Sequence, residues 1–355
     1  MSWLDEFGER HGPVVGVLAS SLAQVERRFS EQIESDLECV RELCGRVERY
    51  RGKMLRPSLT MLAGMAAKGD ASAPATELIT LAAVVEMIHV ATLVHDDVLD
   101  EAEVRRQRPT ISKLRGNEAA VILGDYLISS AFHLCSSLDD QRVALRIGEI
   151  TTRVCEGELL QLHHRQDCEL DEETYFEIIE RKTASLIGIA CEQGGAFSGA
   201  SPAVQRDLYE FGARLGIAFQ IQDDLLDLLG VERVVGKSLG KDLEKGKLTL
   251  PLIHHIAVAD AGRRQQSLDL LEGLWQGDGA HETPDSSDGA TLVAELTDVR
   301  HEVQAALEST GSIEYASRIA EEAVVEAKSR LASLPASSAR ALLEDLADAA
   351  LRRDR

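Results

Sequence analysis

Two short acidic runs share the spacing D-D-x-x-D, at residues 96–100 (DDVLD) and 223–227 (DDLLD), and each follows a long apolar stretch. In a helix, residues four apart lie on one face, so the first and last carboxylates of each run project together. A helix C-terminus already carries partial negative charge, and carboxylates clustered there cost free energy unless a cation binds. Oxygen ligands suit Mg²⁺, which is often shared with substrate phosphates. The runs therefore predict a magnesium site formed by Asp96, Asp97, Asp100, Asp223, Asp224 and Asp227, against the simpler alternative of two solvated acidic helix ends.

Basic residues accompany both runs. Lysine is scarce, yet four of nine lysines fall between Lys237 and Lys247, directly after the second run. Lys53 and Arg56 are three residues apart at a predicted helix start, which predicts that they are neighbours. Magnesium-bound carboxylates ringed by Lys and Arg would form an electrostatic clamp for diphosphate, although each basic residue alone could be ordinary surface charge. The candidates are Lys53, Arg56, Arg105, Arg106, Lys182, Lys237 and Lys247.

The elements that must position these side chains are predicted to be helices almost throughout. Ala, Leu, Glu and Arg are abundant, only eight prolines occur, and no period-two strand pattern stands out. The stretch 78–94 is apolar all round, as in the central helix of a bundle. We predict an all-α fold in one domain over 1–355, with a flexible surface excursion at 276–290. The predicted helices are 17–49 (one or two), 55–67, 75–99, 118–138, 141–163, 171–192, 202–216, 217–229 and one from 250, with loops at 103–115 and 230–247.

Composition excludes several classes of protein. The formal net charge of −22 argues against a nucleic-acid partner. Six cysteines without a C-x-x-C pair indicate reduced thiols. The N-terminus shows no basic region followed by an apolar one, and no uninterrupted apolar run reaches roughly 18 residues. We therefore expect no signal peptide, no stable membrane insertion and a cytoplasmic location.

Eight stretches in this order resemble the trans (E-type) isoprenyl diphosphate synthases, or polyprenyl synthetases. They cover most of residues 50–255, and residues 331–353 also look like the family's ending. The stretches are GKMLRP (52–57), EMIHVATLVHDDVLD (86–100), RRQRPT (105–110), GNEAAVILGDYL (116–127), GELLQ (157–161), KTASLIG (182–188), FQIQDDLLDLLG (219–230) and GKSLGKDLEKGKLTLP (236–251).

The resemblance implies an all-α fold with a central cavity, usually a homodimer, that condenses an allylic diphosphate with isopentenyl diphosphate. It implies that three Mg²⁺ ions on the allylic diphosphate are held by Asp96, Asp100 and Asp223 and supported by Asp97, Asp224 and Asp227. Arg105, Lys182 and Lys237 would bind the same diphosphate, and Lys247 would close over it. Lys53, Arg56, His89 and Arg106 would bind isopentenyl diphosphate, while Thr183 and Gln220 would lie beside the reacting carbons.

Two positions depart from the family pattern. Gln107 replaces a usual glycine, so that loop is expected to bend differently, and Met54 replaces a common arginine near the isopentenyl diphosphate site. Neither change removes a metal ligand. Product length is expected to depend on a tunnel along the helix before Asp96, where Ala91 and Thr92 are small. This pattern predicts a product of C20 or longer.

Other tunnel residues would be Ile88 and Met87, and candidates for the floor are Phe132 and Tyr126. Three alternative functions stay open: a terpene cyclase of the same fold, a non-catalytic or partner-dependent subunit of a heteromeric synthase, and a helical scaffold. The adjacent His163 and His164 are expected to point apart on the surface of a helix, without a catalytic role.

Overall fold

The computed structural model describes residues 2–47, 50, 52–230, 240–277 and 289–352. These residues form helices joined by short turns, with one two-stranded hairpin. The first helices are α1 (Ser2–Gln32), α2 (Glu38–Val47), α3 (Leu55–Lys68), α4 (Thr76–Leu99), α5 (Ile111–Arg115), α6 (Asn117–Cys135), α7 (Gln141–His163), α8 (Glu172–Ile179), α9 (Ser185–Phe197) and α10 (Pro202–Leu229). They are followed by α11 (Lys241–Glu244), α12 (Leu250–Val258), α13 (Ala261–Gly277), α14 (Gly289–Ser309), α15 (Ser312–Arg330) and α16 (Ser338–Ala350). The all-α prediction is confirmed.

The chain divides into two compact units. Unit 1 comprises residues 1–154, 183–216 and 324–349, and unit 2 comprises residues 155–182, 217–323 and 350–355. The predicted excursion at 276–290 falls largely outside the described residues, so it stays a prediction.

In unit 1, α4 is the central helix, as its apolar sequence predicted. It packs against α1, α3, α6 and α9, and every side chain from Leu78 to Ile88 is buried. Helices α3 and α9 approach closely because α9 carries Gly194 at the contact. A Cβ there would lie 2.2 Å from the backbone oxygen of Thr60, which real structures do not tolerate. This core fixes the orientation of the α4 C-terminus, where the first acidic run lies.

In unit 2, α12 packs against α8, α13 and α14. Its His255 is fully buried, and the two ring nitrogens lie 2.9 Å from the hydroxyls of Thr310 and Ser267. The polar imidazole is therefore paired on both sides, as burial requires. This network fixes the connection between α14 and α15 relative to α12.

Several predicted element boundaries were wrong. The first helix begins at Ser2 rather than 17 and is kinked at His11. Residues 202–229 form one helix instead of two, whereas 171–192 are interrupted by a π-helical turn, Glu180–Ala184. The predicted loop 103–115 contains β1 (Val104–Arg105) and β2 (Arg108–Pro109), paired antiparallel, and then α5.

In the part of the chain that the structure describes, two helices, α4 and α6, are long and apolar enough to cross a membrane by length and composition alone. The most apolar window of α4 is 78% buried, as expected of a core helix, and that of α6 is 44% buried. The expectation of no stable membrane insertion stays a prediction.

Candidate active site

The first acidic run occupies the C-terminal turn of α4 in unit 1. Asp100 is the C-cap residue, and its backbone N–H donates to the Asp96 carbonyl oxygen at 2.8 Å. The carboxylates of Asp96 and Asp100 are partly exposed, whereas Asp97 is only 1% exposed. The helical spacing thus presents two carboxylates to solvent on one face and turns the third into the protein.

Asp97 is held by a cation. The Nε of Arg105 donates to Asp97 Oδ1 at 2.7 Å, while Asp97 Oδ2 is buried without a hydrogen-bond partner among the described residues. Burial raises the pKa of Asp97, and the neighbouring Arg105 opposes that shift. Burial, and then the charge of Asp97, also raise the pKa of Tyr50, whose hydroxyl accepts a hydrogen bond from the Ile111 N–H at 3.0 Å. Asp97 therefore organises the hairpin that carries Arg105.

That hairpin turns at Arg106 and Gln107, with φ of 52° and 61°. Two consecutive left-handed residues between β1 and β2 are typical of a type I′ turn, which favours glycine. Gln107 consequently keeps the tight turn at a conformational cost, and the expectation that the loop bends differently from that of the family stays a prediction. The tight turn directs the Arg106 guanidinium over Gly52, where a Cβ would lie 2.1 Å from Nη2.

Three arginines of unit 1 act on His89. Burial, and then the positive charges of Arg56, Arg105 and Arg106, hold the pKa of His89 well below 6.5. Such a concentration of positive charge around a neutral imidazole suits a polyanion. The predicted residues Arg56, His89, Arg105 and Arg106 are therefore brought together.

Lys53 is exposed just before α3, and the helical argument for its pairing with Arg56 was wrong. Met54 is the N-cap with a left-handed φ of 53°, so Lys53 lies outside the helix. The buried Met54 carbonyl accepts from the Ser58 N–H at 3.0 Å and from the Ser58 hydroxyl at 2.7 Å. Met54 is thus buried, and it does not contribute to the surface around Gly52 and Lys53.

The second acidic run lies in unit 2, near the end of α10, and repeats the division between exposed and buried carboxylates. Asp223 is partly exposed, while Asp224 and Asp227 are 4% and 2% exposed. Asp224 accepts from the Tyr175 hydroxyl at 2.6 Å and from the Gln220 amide at 2.8 Å, one donor on each oxygen. Burial, and then the charge of Asp242, raise the pKa of Asp224 to about 8.

Asp227 anchors the chain that follows the second run. Its Oδ2 accepts from the Asp242 N–H at 3.1 Å, and its carbonyl oxygen accepts from the Gly240 N–H at 2.9 Å. Arg300 caps the same helix end by donating to the carbonyl oxygens of Leu228 and Gly230 at 2.7 and 2.5 Å. The counter-charge expected at this helix C-terminus is thus supplied partly by an arginine from α14.

Lys247 and Lys182 have specific partners in unit 2. The side chain of Lys247 is 9% exposed, and its Nζ lies 4.0 Å from Asp242 Oδ1. Lys182, in the π turn, donates to Gln161 Oε1 at 2.9 Å and pairs with Glu158. Gly157 permits that approach, because a Cβ there would lie 2.6 Å from the Lys182 backbone nitrogen.

This contact explains the stretch GELLQ at 157–161. Its glycine gives access to the π turn, and its Glu and Gln hold the lysine. A π turn inside an α-helix is frequent at functional sites. Thr183, half-buried in unit 1, follows Lys182 in the same turn. Lys237 lies outside the described residues.

The predicted tunnel residues on α4 are buried in unit 1, except for the half-buried Thr92. Ala91 and Met87 are fully buried, and the Thr92 hydroxyl donates to the His89 carbonyl oxygen at 2.7 Å. On α6, the Tyr126 hydroxyl donates to the Ile33 carbonyl oxygen at 3.4 Å, so this side chain reaches the residue that follows α1.

Comparison with known proteins agrees with this geometry. The sequence profile described as Polyprenyl synthetase matches residues 38–279. The chain belongs to the polyprenyl synthetase family. It is 34% identical over 337 residues to octaprenyl diphosphate synthase of Escherichia coli (strain K12), with 95% of this chain and 97% of that protein covered.

Solved structures place the chain in the same family. A decaprenyl diphosphate synthase from Rhodobacter capsulatus has a TM-score of 0.82 at 34% identity, covering 97% of this chain and 99% of the other. A polyprenyl synthase from Caulobacter crescentus CB15, complexed with calcium and isoprenyl diphosphate, has a TM-score of 0.83 at 31% identity, with 97% and 98% covered. The all-α isoprenoid synthase fold is thus established for this polyprenyl synthetase.

The aspartates of this polyprenyl synthetase suit Mg²⁺ ions whose remaining coordination positions would be filled by water and substrate phosphate. No group of three or more His, Cys, Asp or Glu side chains in the described parts of the chain could hold a metal ion by itself. Mg²⁺ usually binds one or two carboxylates, keeps several waters and shares substrate phosphates. The partly exposed carboxylates of Asp96, Asp100 and Asp223 suit such open coordination.

Sequence reasoning missed Tyr175, Asp242 and Arg300. Tyr175 lies seven residues before Lys182, and nothing in its local pattern distinguishes it from a core tyrosine. Asp242 could have been found, because it lies within the stretch GKSLGKDLEKGKLTLP. The contact between His163 and His164 was also mispredicted, since the two rings meet edge to face with centroids 4.9 Å apart. His164 pairs with Asp167 at 2.7 Å.

Proposed function

We propose that this polyprenyl synthetase condenses an allylic diphosphate with isopentenyl diphosphate and releases an all-trans polyprenyl diphosphate of C20 or longer. The observation that carries the proposal is the shared division within the two acidic runs. Each run presents at least one partly exposed carboxylate and buries at least one that accepts protein hydrogen bonds. A purely solvated acidic helix end gives no reason for that burial.

The chain's own residues have distinct roles in this reaction. Asp96, Asp100 and Asp223 hold the cations, proposed to be three Mg²⁺, while Asp97, Asp224 and Asp227 position them and the basic loops. When bound, Mg²⁺ neutralises the diphosphate and makes it a better leaving group. Arg105, Lys182, Lys237 and Lys247 add positive charge to the allylic diphosphate.

Lys53, Arg56, His89 and Arg106 bind the second diphosphate. The low pKa of His89 keeps its imidazole neutral, so it acts there as a hydrogen-bonding group and the arginines supply the charge. Thr183 and Gln220 lie beside the reacting carbons, and the Gln220 amide is already oriented by Asp224. The final proton goes to the released diphosphate, so no protein base is required.

The activity test is direct. The purified chain is incubated with isopentenyl diphosphate, farnesyl diphosphate and Mg²⁺, and the products are identified by mass spectrometry. Asp96→Ala should abolish turnover and leave helicity and thermal unfolding unchanged, because Asp96 is partly exposed. The control Asp139→Asn changes an exposed aspartate after α6 and should retain full activity. Wild-type protein that forms no elongated product would refute the proposal.

Product length follows from similarity and from side-chain size. The compared proteins are named octaprenyl and decaprenyl diphosphate synthases, which supports a long product. Thr92→Phe introduces a bulky ring one turn before Asp96 and should shorten the product. Thr152→Phe, at an exposed position of α7, should not. Unchanged product length in Thr92→Phe would place the limiting residue elsewhere.

We further propose a homodimer. Helix α6 exposes the apolar side chains of Val121 and Ile122, at 41% and 67%. Apolar side chains exposed together favour a protein partner. Light scattering should give twice the chain mass, and full activity of the pure chain would exclude the partner-dependent alternative.

A further inference from the structure

Helix α11 (Lys241–Glu244), which lies just before Lys247 in unit 2, is too short to hold its own position. A single helical turn of four residues is not stable in isolation, and its N-cap residue, Gly240, has no side chain to cap it. The position of α11 is therefore set by the groups that contact it from elsewhere in the chain.

This short helix connects the second acidic run to Lys247. At its start, the Gly240 N–H donates to the Asp227 carbonyl oxygen at 2.9 Å, and the Asp242 N–H donates to Asp227 Oδ2 at 3.1 Å. Beyond its end, the Lys247 N–H donates to the Asp242 carbonyl oxygen at 2.8 Å, and the Lys247 Nζ lies 4.0 Å from Asp242 Oδ1. A displacement of α11 would thus move the Lys247 side chain relative to Asp227.

A tryptophan from α13 holds the middle of this connection. The indole N–H of Trp275 donates to the Leu243 carbonyl oxygen at 3.0 Å, and the same oxygen accepts from the Gly246 N–H at 3.1 Å. Leu243 is 2% exposed and the indole is partly buried, so water competes weakly for that oxygen. The Leu243 carbonyl group therefore joins α11 both to α13 and to the turn that leads into Lys247.

We infer that Trp275 is a positioning residue for Lys247 and, through it, for the diphosphate of the allylic substrate. The inference rests on the proposed function, in which Lys247 binds that diphosphate. The indole acts through the backbone of Leu243 and not on the substrate itself. Because a lysine side chain is long and flexible, a fixed backbone lowers the entropic cost of bringing its ammonium to a phosphate.

The first test measures binding without turnover. Inorganic diphosphate with Mg²⁺ is titrated calorimetrically into the full-length chain for wild type, Trp275→Phe, Lys247→Ala and the double variant. Phenylalanine keeps an aromatic ring and removes the N–H, and the net contribution of one neutral hydrogen bond corresponds to about three- to ten-fold weaker binding. Because Trp275 acts through Lys247, the double variant should bind no more weakly than Lys247→Ala alone.

The matched control is Ser267→Ala, which removes a hydrogen bond from the same helix α13 but not from α11. The Ser267 hydroxyl lies 2.9 Å from His255 Nε2, and both residues are buried. This variant should have a lower midpoint of thermal unfolding and wild-type affinity for diphosphate. The inference would be overturned by folded Trp275→Phe protein that binds diphosphate like wild type, or by an equal loss of affinity with and without the Lys247 side chain.

A spectroscopic measurement tests the same coupling while Trp275 is kept, so it does not depend on how Trp275→Phe folds. The chain has two tryptophans, Trp3 and Trp275, so labelling tryptophan with ¹⁵N gives two indole N–H signals, which Trp3→Phe assigns. Coupling between two sites is reciprocal, so diphosphate with Mg²⁺ should shift the Trp275 signal in the presence of Lys247 and not in Lys247→Ala. A Trp275 signal that does not move at saturating diphosphate would contradict the inference.

Steady-state kinetics separate this inference from the proposed reaction. Trp275→Phe should raise the KM for farnesyl diphosphate and leave the KM for isopentenyl diphosphate unchanged, because Lys247 is proposed to bind only the allylic diphosphate. An equal rise in both KM values would indicate a general structural role and overturn the inference. Coupled loss of diphosphate binding in a chain whose wild type makes no polyprenyl product would support the role of Trp275 and refute the proposed reaction.

Discussion

Tyr175→Phe removes one hydroxyl and tests whether Asp224 must be held in place. The Tyr175 hydroxyl donates to Asp224 Oδ2 at 2.6 Å, and both residues are buried. Phenylalanine fills the same space, so the substitution leaves one buried carboxylate oxygen without its donor. Burial, and then the charge of Asp224, already raise the pKa of Tyr175 well above 10, so the hydroxyl is the donor across the working range of pH.

The expected size of the effect follows from the kind of bond. Leaving a buried acceptor without its donor costs about 1–3 kcal/mol, and each 1.4 kcal/mol corresponds to a factor of ten. Because Asp224 adjoins Asp223, its displacement should weaken cation binding as well as folding. We therefore expect kcat/KM for the allylic substrate to fall about ten-fold or more at low Mg²⁺ and to recover partly at high Mg²⁺.

Tyr315→Phe is the matched control. Its hydroxyl donates to Glu172 Oε1, also at 2.6 Å and also in unit 2, but this carboxylate belongs to neither acidic run. The control should lose some stability and keep the wild-type dependence on Mg²⁺. Initial rates at several Mg²⁺ concentrations and urea unfolding separate the two effects. Equal Mg²⁺ dependence of both variants would refute a positioning role for Tyr175.

Three further predictions concern unit 1. Gln107→Gly should raise the free energy of unfolding, measured in urea titrations, by up to about 1 kcal/mol. A non-glycine residue with left-handed φ costs about 1–2 kcal/mol, and the greater entropy of glycine in the unfolded chain offsets part of the gain. A lower free energy of unfolding would contradict the strain at this position. The pKa of His89 lies well below 6.5 in the folded protein, so below pH 6.5 the unfolded chain binds a proton that the folded chain does not. The free energy of unfolding should therefore fall as the pH drops from 7 to 5, and His89→Asn should make that fall less steep. Ile122→Glu should shift the mass in light scattering from dimer to monomer, whereas Leu37→Glu, at an exposed apolar position between α1 and α2, should not.

The helices were predictable because apolar periodicity and composition are local properties. Helix α7 matches the predicted bounds, and α4 differs by one residue. The continuous α10 was split at Gly216 because glycine usually weakens a helix. Here that glycine is required for packing, since a Cβ would lie 2.6 Å from the Ala184 Cα. Tertiary contact therefore overrode a local preference.

The proposed metal ligands could be predicted from the sequence, whereas the residues that hold them in place could not. Repeated spacing marks Asp96 and Asp223, but a supporting side chain such as Tyr175 or Arg300 is distant in sequence and has no spacing of its own. The pair Gly157 and Lys182 shows the intermediate case. Each residue lies in a stretch that resembles the family. Only the packing of α7 on the π turn explains why a glycine is needed at 157 beside Lys182.

The division within each acidic run accounts for the D-D-x-x-D spacing itself. Two adjacent aspartates on a helix point about 100° apart, so one can face solvent while its neighbour enters the protein. In the first run the buried neighbour holds Arg105, and in the second it is held by Tyr175 and Gln220. With a single exposed aspartate, the helix end that carries the cation ligand would remain mobile. The second aspartate fixes that end, at the cost of a buried carboxylate whose pKa reaches about 8 in Asp224. Asparagine at the buried position 97 would keep the shape and lose the charge that holds Arg105, so an acid is needed there.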